Sequence, residues 1–208
     1  MSLPIVTYAA EYPGILRQDQ VLIAKQSLNE LKIDYTTPDN TGGLPILRYW
    51  VKVYNGVNLD LELASVDNGL SLSYTYAVTQ PGNEGKYFRF KVAAENLLGI
   101  GPYSIGTVLM AVDPPAAPTI VVDETSRTLT SINLKFVPDV NNGGSIITGY
   151  LLYRDQGVAG SPYSLIYNGT GAPEVIFFNV TDLMTGHYYN FKLYSRNVIF
   201  ESTLFGAV

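Results

Sequence analysis

The chain has 208 residues, 47% hydrophobic and only 15% charged, with 19 Gly, 12 Pro, 16 Tyr and 8 Phe; at roughly 100–200 residues per domain it holds one large domain or two small ones, and the low charge excludes disorder by self-repulsion. The net charge of −5, with Lys and Arg scattered rather than clustered, removes the basic footprint that nucleic acid or an anionic membrane requires. The absence of Cys and the single His187 exclude a disulfide framework, a Cys-ligated zinc and a multi-histidine metal site, and leave the redox compartment open.

In chain order, the start Met1-Ser2-Leu3-Pro4 lacks the basic and apolar regions of a signal peptide. No apolar run anywhere approaches the roughly 20 residues of a transmembrane helix, so no membrane insertion is expected. An offset of 101 residues brings two halves into register: Pro13 falls on Pro114, Gly42-Gly43 on Gly143-Gly144, Ile46 on Ile147, Tyr49 on Tyr150, Phe90-Lys91 on Phe191-Lys192 and Asn96 on Asn197. This predicts two domains, 13–113 and 114–208. Residues 1–12 then read as the trailing strand of a preceding repeat or as a leader, because residues 3–12 match 104–113. By the same offset the last strand of the second repeat is slightly short, which suggests a fragment of a longer array. At the boundary, Asp113-Pro114-Pro115-Ala116-Ala117-Pro118 fixes φ at three prolines and favours an extended, semi-rigid connection.

Strands are predicted wherever apolar residues alternate between turn signals. In the first repeat these are Leu31, Ile33 and Tyr35; Tyr49, Val51 and Val53; and Phe88, Phe90, Val92 and Ala94. In the second they are Ile132, Leu134 and Phe136, then Tyr189, Phe191, Leu193 and Ser195. No stretch keeps helical periodicity for ten residues. About seven short strands per 100 residues describe a two-sheet antiparallel sandwich, so the fold class is all-β, two immunoglobulin-like sandwiches in tandem.

The motifs occur twice and in order. The first repeat has an apolar-x-apolar-x-aromatic strand, Pro38-Asp39-Asn40-Thr41-Gly42-Gly43-Leu44-Pro45-Ile46 leading to Tyr49, and Phe88-x-Phe90-x-Val92-x-Ala94-x-Asn96-x-x-Gly99. The second has Pro138-Asp139, Asn142-Gly143-Gly144 leading to Tyr150, and Tyr189-x-Phe191-x-Leu193-x-Ser195-x-Asn197. Over residues 13–208 this pattern resembles the fibronectin type III family. The family's usual Trp on its second strand is Tyr35 here and Phe136 there. Its corner tyrosine, whose hydroxyl bonds the backbone, falls on Tyr189 but on Phe88 in the first repeat. Its glycine after the sixth strand is Gly99 in one repeat and Phe200 in the other, so a differently shaped loop is expected in the second.

The loops after the second and sixth strands meet at one end of such a sandwich, where related folds bind partners. There the chain places Leu97, Leu98 and Ile100 in one repeat and Val198, Ile199 and Phe200 in the other. Apolar side chains in place of polar ones mark either a fold-back over the core and packing on a neighbouring domain, or a contact site for a protein partner. Tyr87 and Tyr188, expected to point outward on the sixth strands, form a second candidate surface with Trp50 and Tyr153. Asp139-x-Asn141-x-Gly143 has the opening of a calcium loop, but position 150 is Tyr where an acid is needed, so a local turn role is expected. The sequons at Asn168 and Asn179 are as many as this composition supplies by chance; Asn168, in a turn, is the one open to a glycan. His187 and Asp182 lack an activated nucleophile or a metal. No catalytic residue, cofactor or metal is expected. The resemblance implies a non-catalytic spacer and protein-interaction segment of a larger protein, of cell-surface or extracellular adhesion type, with an intracellular cytoskeletal array or an accessory module of a secreted enzyme as alternatives.

Overall fold

Alternation of buried and more exposed side chains marks residues 30–35, 48–55 and 191–197 in the computed structural model, which describes residues 9–56, 61–79 and 82–208. The first eight residues of the expected leading strand lie outside them. The strands are β1 (Val21–Gln26), β2 (Glu30–Tyr35), β3 (Arg48–Asn55), β4 (Leu61–Asp67), β5 (Ser73–Ala77), β6 (Tyr87–Asn96), β7 (Gly99–Ile100), β8 (Thr107–Met110), β9 (Thr119–Asp123), β10 (Ile132–Val137), β11 (Ile147–Arg154), β12 (Ser164–Asn168), β13 (Phe177–Val180), β14 (Phe191–Asn197) and β15 (Gly206–Ala207). A single 3-10 turn, Gln18–Gln20, precedes β1.

The chain divides into two compact units, Met1–Ala111 and Val112–Val208. In the first, sheet β1-β2-β5 faces a sheet ordered β4-β3-β6-β7 in which β8 also pairs with β6. In the second, sheet β9-β10-β13 faces β12-β11-β14-β15. Among the described residues all strand pairings are antiparallel. The first core contains Leu31, Ile33, Tyr35, Tyr49, Val51, Val53, Phe88, Phe90, Val92 and Ala94, the inward residues of the predicted strands. The second contains Leu134, Phe136, Tyr150, Leu152, Phe191 and Leu193.

The repeat offset is not constant. Glu11 N–H bonds Gly42 O while Asp113 N–H bonds Gly143 O, and Gly14 N–H bonds Asn40 O while Ala116 N–H bonds Asn141 O. The incoming segments therefore match at 102 residues, and Pro13 corresponds to Pro115, both buried, rather than to Pro114. The 3-10 turn then adds residues in the first unit only, so β1 and β9 match at 99: Val21 pairs with Tyr35 as Ile120 pairs with Phe136. Register returns to 101 at the second strand of each unit, where Tyr35 of β2 pairs with Val21 and Phe136 of β10 with Ile120.

Replacement of the core Trp is met differently in each unit. Tyr35 packs edge-on against Tyr49 at 5.3 Å, and its hydroxyl accepts a 2.6 Å hydrogen bond from Asn68 Nδ2; burial pushes the Tyr35 phenol up to about 12. Phe136 packs against Tyr150 at 5.6 Å and needs no donor. Asn68 N–H bonds Tyr49 O, and at the matching position Gly169 N–H bonds Tyr150 O. The unit with a hydroxyl has an amide to meet it; the unit without has glycine. Asn68→Ala is expected to cost about 1–3 kcal/mol by leaving the Tyr35 hydroxyl without its donor. Tyr35→Phe in the same chain should recover part of that loss, and a double-mutant cycle with no coupling would refute the pairing.

The tyrosine corner exists in the second unit, where Tyr189 Oη accepts a 2.9 Å bond from Met184 N–H. Phe88, with no hydroxyl, is instead fully buried against Tyr76. Tyr188 is 91% exposed and precedes β14, which starts at Phe191 rather than at Tyr189. The reason is tertiary: β15 pairs with Lys192 and Leu193, and Asn190 N–H is taken by the Asp155 carboxylate at 3.0 Å instead of by a neighbouring strand.

Candidate functional site

At the end of each unit where the chain enters, one buried asparagine holds three segments together. Asn96 Nδ2 donates to Glu11 O at 2.7 Å and to Thr41 O at 3.0 Å, while its Oδ1 accepts from Leu98 N–H. Asn197 Nδ2 donates to Asp113 O at 2.8 Å and Asn142 O at 3.1 Å, and its Oδ1 accepts from the N–H groups of Ile199 and Phe200. Both side chains are nearly inaccessible, and a buried amide with all its polar atoms engaged fixes geometry rather than merely filling space. Gly42 and Gly143 make the arrangement possible. They adopt φ of 75° and 72°, and a Cβ on either would lie 2.0 Å from the carbonyl of Glu11 or Asp113.

The asparagines anchor two hairpins with two-residue tips, Leu97-Leu98 and Val198-Ile199. Asn96 pairs with Gly99; Asn197 N–H bonds Phe200 O, followed by an Arg196–Glu201 bridge. With their backbones bound this way the tip side chains stay outside the core. Leu97 is 78% exposed, Leu98, Ile100, Val198 and Ile199 lie between 39% and 46%, and Phe200 is half-buried. The hairpins have the same tip length, so the difference expected from Gly99 and Phe200 is confined to one residue. Gly99 has φ of 134° and receives the ring of Tyr12; in the second unit an aromatic ring stands at position 200 and a proline, Pro114, in Tyr12's place. Ile146, 72% exposed in the adjoining loop, extends the second platform. The sequence carried its signal, an apolar residue two positions after the Gly143-Gly144 turn. Beside the first hairpin an open hollow of about 280 Å³ is lined by Ala9, Ala10, Glu11, Asn40, Gly42 and Gly43.

The second candidate surface divides. Trp50, in the first unit, donates its Nε1–H to Glu95 Oε2 at 2.5 Å, whereas Tyr153, in the second, meets Tyr194 edge-on at 5.7 Å. Tyr87 opens β6, and Tyr188 stands apart from β14. In the former calcium candidate, Asp139, Asn141 and Asn142 turn their side-chain oxygens onto the backbone N–H groups of Asn141, Gly143 and Gly144, as Asx turns do. Among the described residues no group of three His, Cys, Asp or Glu is placed to hold a metal, and no helix is long and apolar enough to cross a membrane. Asn168 ends β12, exposed, with Oδ1 on Thr170 N–H; Asn179 lies within β13. His187 Nδ1 lies 3.2 Å from Gly157 O.

No family model matches the chain. In sequence it is similar to the M-protein of striated muscle from Gallus gallus, 29% identical over 178 residues, and to a titin homolog from Caenorhabditis elegans, 25% identical over 182 residues. These alignments take in 81% and 85% of this chain but only 12% and 1% of the relatives, so the chain spans a small part of each. In structure it is similar to the crystallised FN1-FN3 domains of chicken CNTN1, with a TM-score of 0.51 and 16% identity over 98% of this chain and 69% of that one. A two-domain fibronectin type III segment from chicken tenascin also aligns, with a TM-score of 0.44 and 13% identity over 90% of this chain and 96% of that one. The paired sandwiches and the likeness to the CNTN1 domains show the fold, two fibronectin type III-like sandwiches in tandem.

Proposed function

We propose that the chain is a spacer and protein-interaction segment of a larger multidomain protein, with no catalysis of its own, and that its contact sites are the Asn-anchored hairpin tips: Leu97, Leu98 and Ile100 in one domain, Val198, Ile199 and Phe200 in the other. The observation that carries the reading is the pairing of rigid anchoring with apolar exposure. A buried amide holds each tip, yet the tip side chains face outward, and pre-ordered apolar groups bind without a large ordering cost. A benzophenone amino acid at position 97 or 199 of the full-length protein, irradiated in cells that express it, should give discrete protein adducts. The same group at Val140, fully exposed on another loop, should not; equal labelling at all three positions would sink the proposal.

For the setting, a cell-surface or extracellular role draws on the low charge, the abundant tyrosine and an exposed sequon at Asn168. An intracellular scaffold role is favoured by the sequence similarity to striated-muscle M-protein and a titin homolog. Glycosidase treatment of the native protein separates them. A mass loss mapped to Asn168 supports the first; an unmodified Asn168 in protein from the native tissue supports the second.

A further inference from the structure

The outward faces of the two β3-type sheets differ in a way that the repeat makes plain. On the first domain the acids of this face are already partnered: Glu62 with Lys52 at 2.9 Å, Asp67 with Arg48 at 2.6 Å, and Glu95 with the Trp50 indole. At the offset of 101, Lys52 and Glu62 become Tyr153 and Tyr163, and Ala93 becomes Tyr194. The result is an aromatic cluster. Tyr194 lies 5.7 Å from both Tyr153 and Phe205, and the Lys192 ammonium rests 3.9 Å from the Tyr163 centroid and 4.6 Å from that of Phe205. Tyr153, Tyr163, Lys192, Tyr194 and Glu201 line an open groove of about 350 Å³.

We infer that this groove binds an arginine side chain in a basic segment of a protein partner, a refinement that rests on the reading of the chain as an interaction segment. Three observations support that occupant. The rings of Tyr163 and Phe205 already hold one cation, the Lys192 ammonium, at cation–π distance, so this aromatic cluster accommodates positive charge. Lys192 uses Tyr163 and Phe205, which leaves Tyr153 and Tyr194 beside Glu201, an acid that forms no ion pair among the described residues. Tyr153, Tyr194 and Glu201 face the same groove. The net charge of −5 steers a basic partner toward the chain. A guanidinium suits the site better than an ammonium, because it is planar, weakly hydrated, stacks on rings and forks onto a carboxylate.

The test is titration of the full chain with N-acetylated, C-amidated triarginine, trilysine and tricitrulline, followed by backbone amide shifts in NMR. Triarginine should give saturable shifts centred on Tyr153, Tyr163, Tyr194 and Glu201, with trilysine weaker and tricitrulline, neutral but of the same shape, silent. Glu201→Gln should weaken triarginine about two- to fivefold, the size of one partly screened charge pair, with the melting temperature unchanged. Glu62→Gln, on the first domain, should leave it untouched. Equal shifts with tricitrulline, shifts centred elsewhere, or an unaltered affinity in Glu201→Gln would each overturn the inference. Photo-adducts at positions 97 and 199 report the interaction reading separately, so their presence with a silent groove would refute this site alone.

Discussion

Gly143→Ala is expected to cost the second domain about 3 kcal/mol or more, the largest loss for any one-carbon addition to this loop. Two effects add. At φ of 72° an L side chain costs about 1–2 kcal/mol, and the new Cβ would meet the Asp113 carbonyl at 2.0 Å. That neighbour is backbone, held by Asn197 Nδ2 and by its own N–H on Gly143 O, so it yields only if the segment that enters the domain lifts off, an overpacking cost of about 1–3 kcal/mol. Gly171→Ala is the control, since its φ is 84° but a Cβ there meets nothing within 4 Å; it carries the backbone term alone. The single Trp, Trp50, lies in the first domain. Indole fluorescence should therefore unfold unchanged in Gly143→Ala, while methyl resonances of Leu152 and Leu193 report a lowered second-domain midpoint. Gly42→Ala should do the reverse, because its Cβ meets Glu11 O at the same 2.0 Å. A Gly143→Ala loss no larger than that of Gly171→Ala would show that the incoming segment is not locked.

The second large effect is expected at Asp155, a 5% exposed carboxylate. It accepts from Gly157 N–H at 3.0 Å, Asn190 N–H at 3.0 Å and Asn190 Nδ2 at 2.6 Å. Desolvation works to raise its pKa, but the side-chain and backbone donors of Asn190, the Gly157 N–H and the nearby Arg154 charge outweigh it and hold the carboxyl below the usual range. Asp155→Ala strips three donors of their acceptor at once and should cost about 2–4 kcal/mol, part of the loss being recovered by water at exposed Asn190. The pH dependence follows from the depressed value. Stability from this carboxylate is complete above its unfolded value of about 3.9, and is lost as pH falls through the lower folded value, because the unfolded chain takes up the proton first. The advantage of the native protein over Asp155→Asn should therefore be constant from pH 7 to about 5 and shrink below about 4. A difference that stays flat down to pH 2 would mean that the carboxylate charge contributes nothing.

The same residue shows why part of the fold was not legible along the chain. Period-2 alternation from Tyr189 to Ser195 predicts one continuous strand, yet β14 begins only at Phe191. A side chain 35 positions away supplies the acceptor that a neighbouring strand would otherwise provide, and no local pattern encodes that. The offset of the incoming segments was misplaced by one for a similar reason: the prolines match equally well at 101 and 102, and only the hydrogen bonds of Glu11 and Asp113 to Gly42 and Gly143 separate the two. The repeated Asn96 and Asn197 were visible as identities, but their task, tying carbonyls 55 and 84 or 85 residues away, belongs to the closed sandwich. The aromatic groove was hidden further still. Tyr153 stood out in the sequence as an outward tyrosine, but Tyr163, Lys192 and Phe205 come from three separate stretches of the chain, two of them outside any strand.

What the sequence determined by itself is whatever depends on neighbours along the chain. Alternation set which residues face each core, glycine pairs set the turns, and self-similarity set two domains of the fibronectin type III pattern. Tertiary structure alone decided which buried polar groups meet and which side chains are left outside. An isolated Asn, Asp or Lys is the same in any strand, and its energy is set by the donors, carboxylates and rings that a folded sheet brings within about 3–6 Å of it.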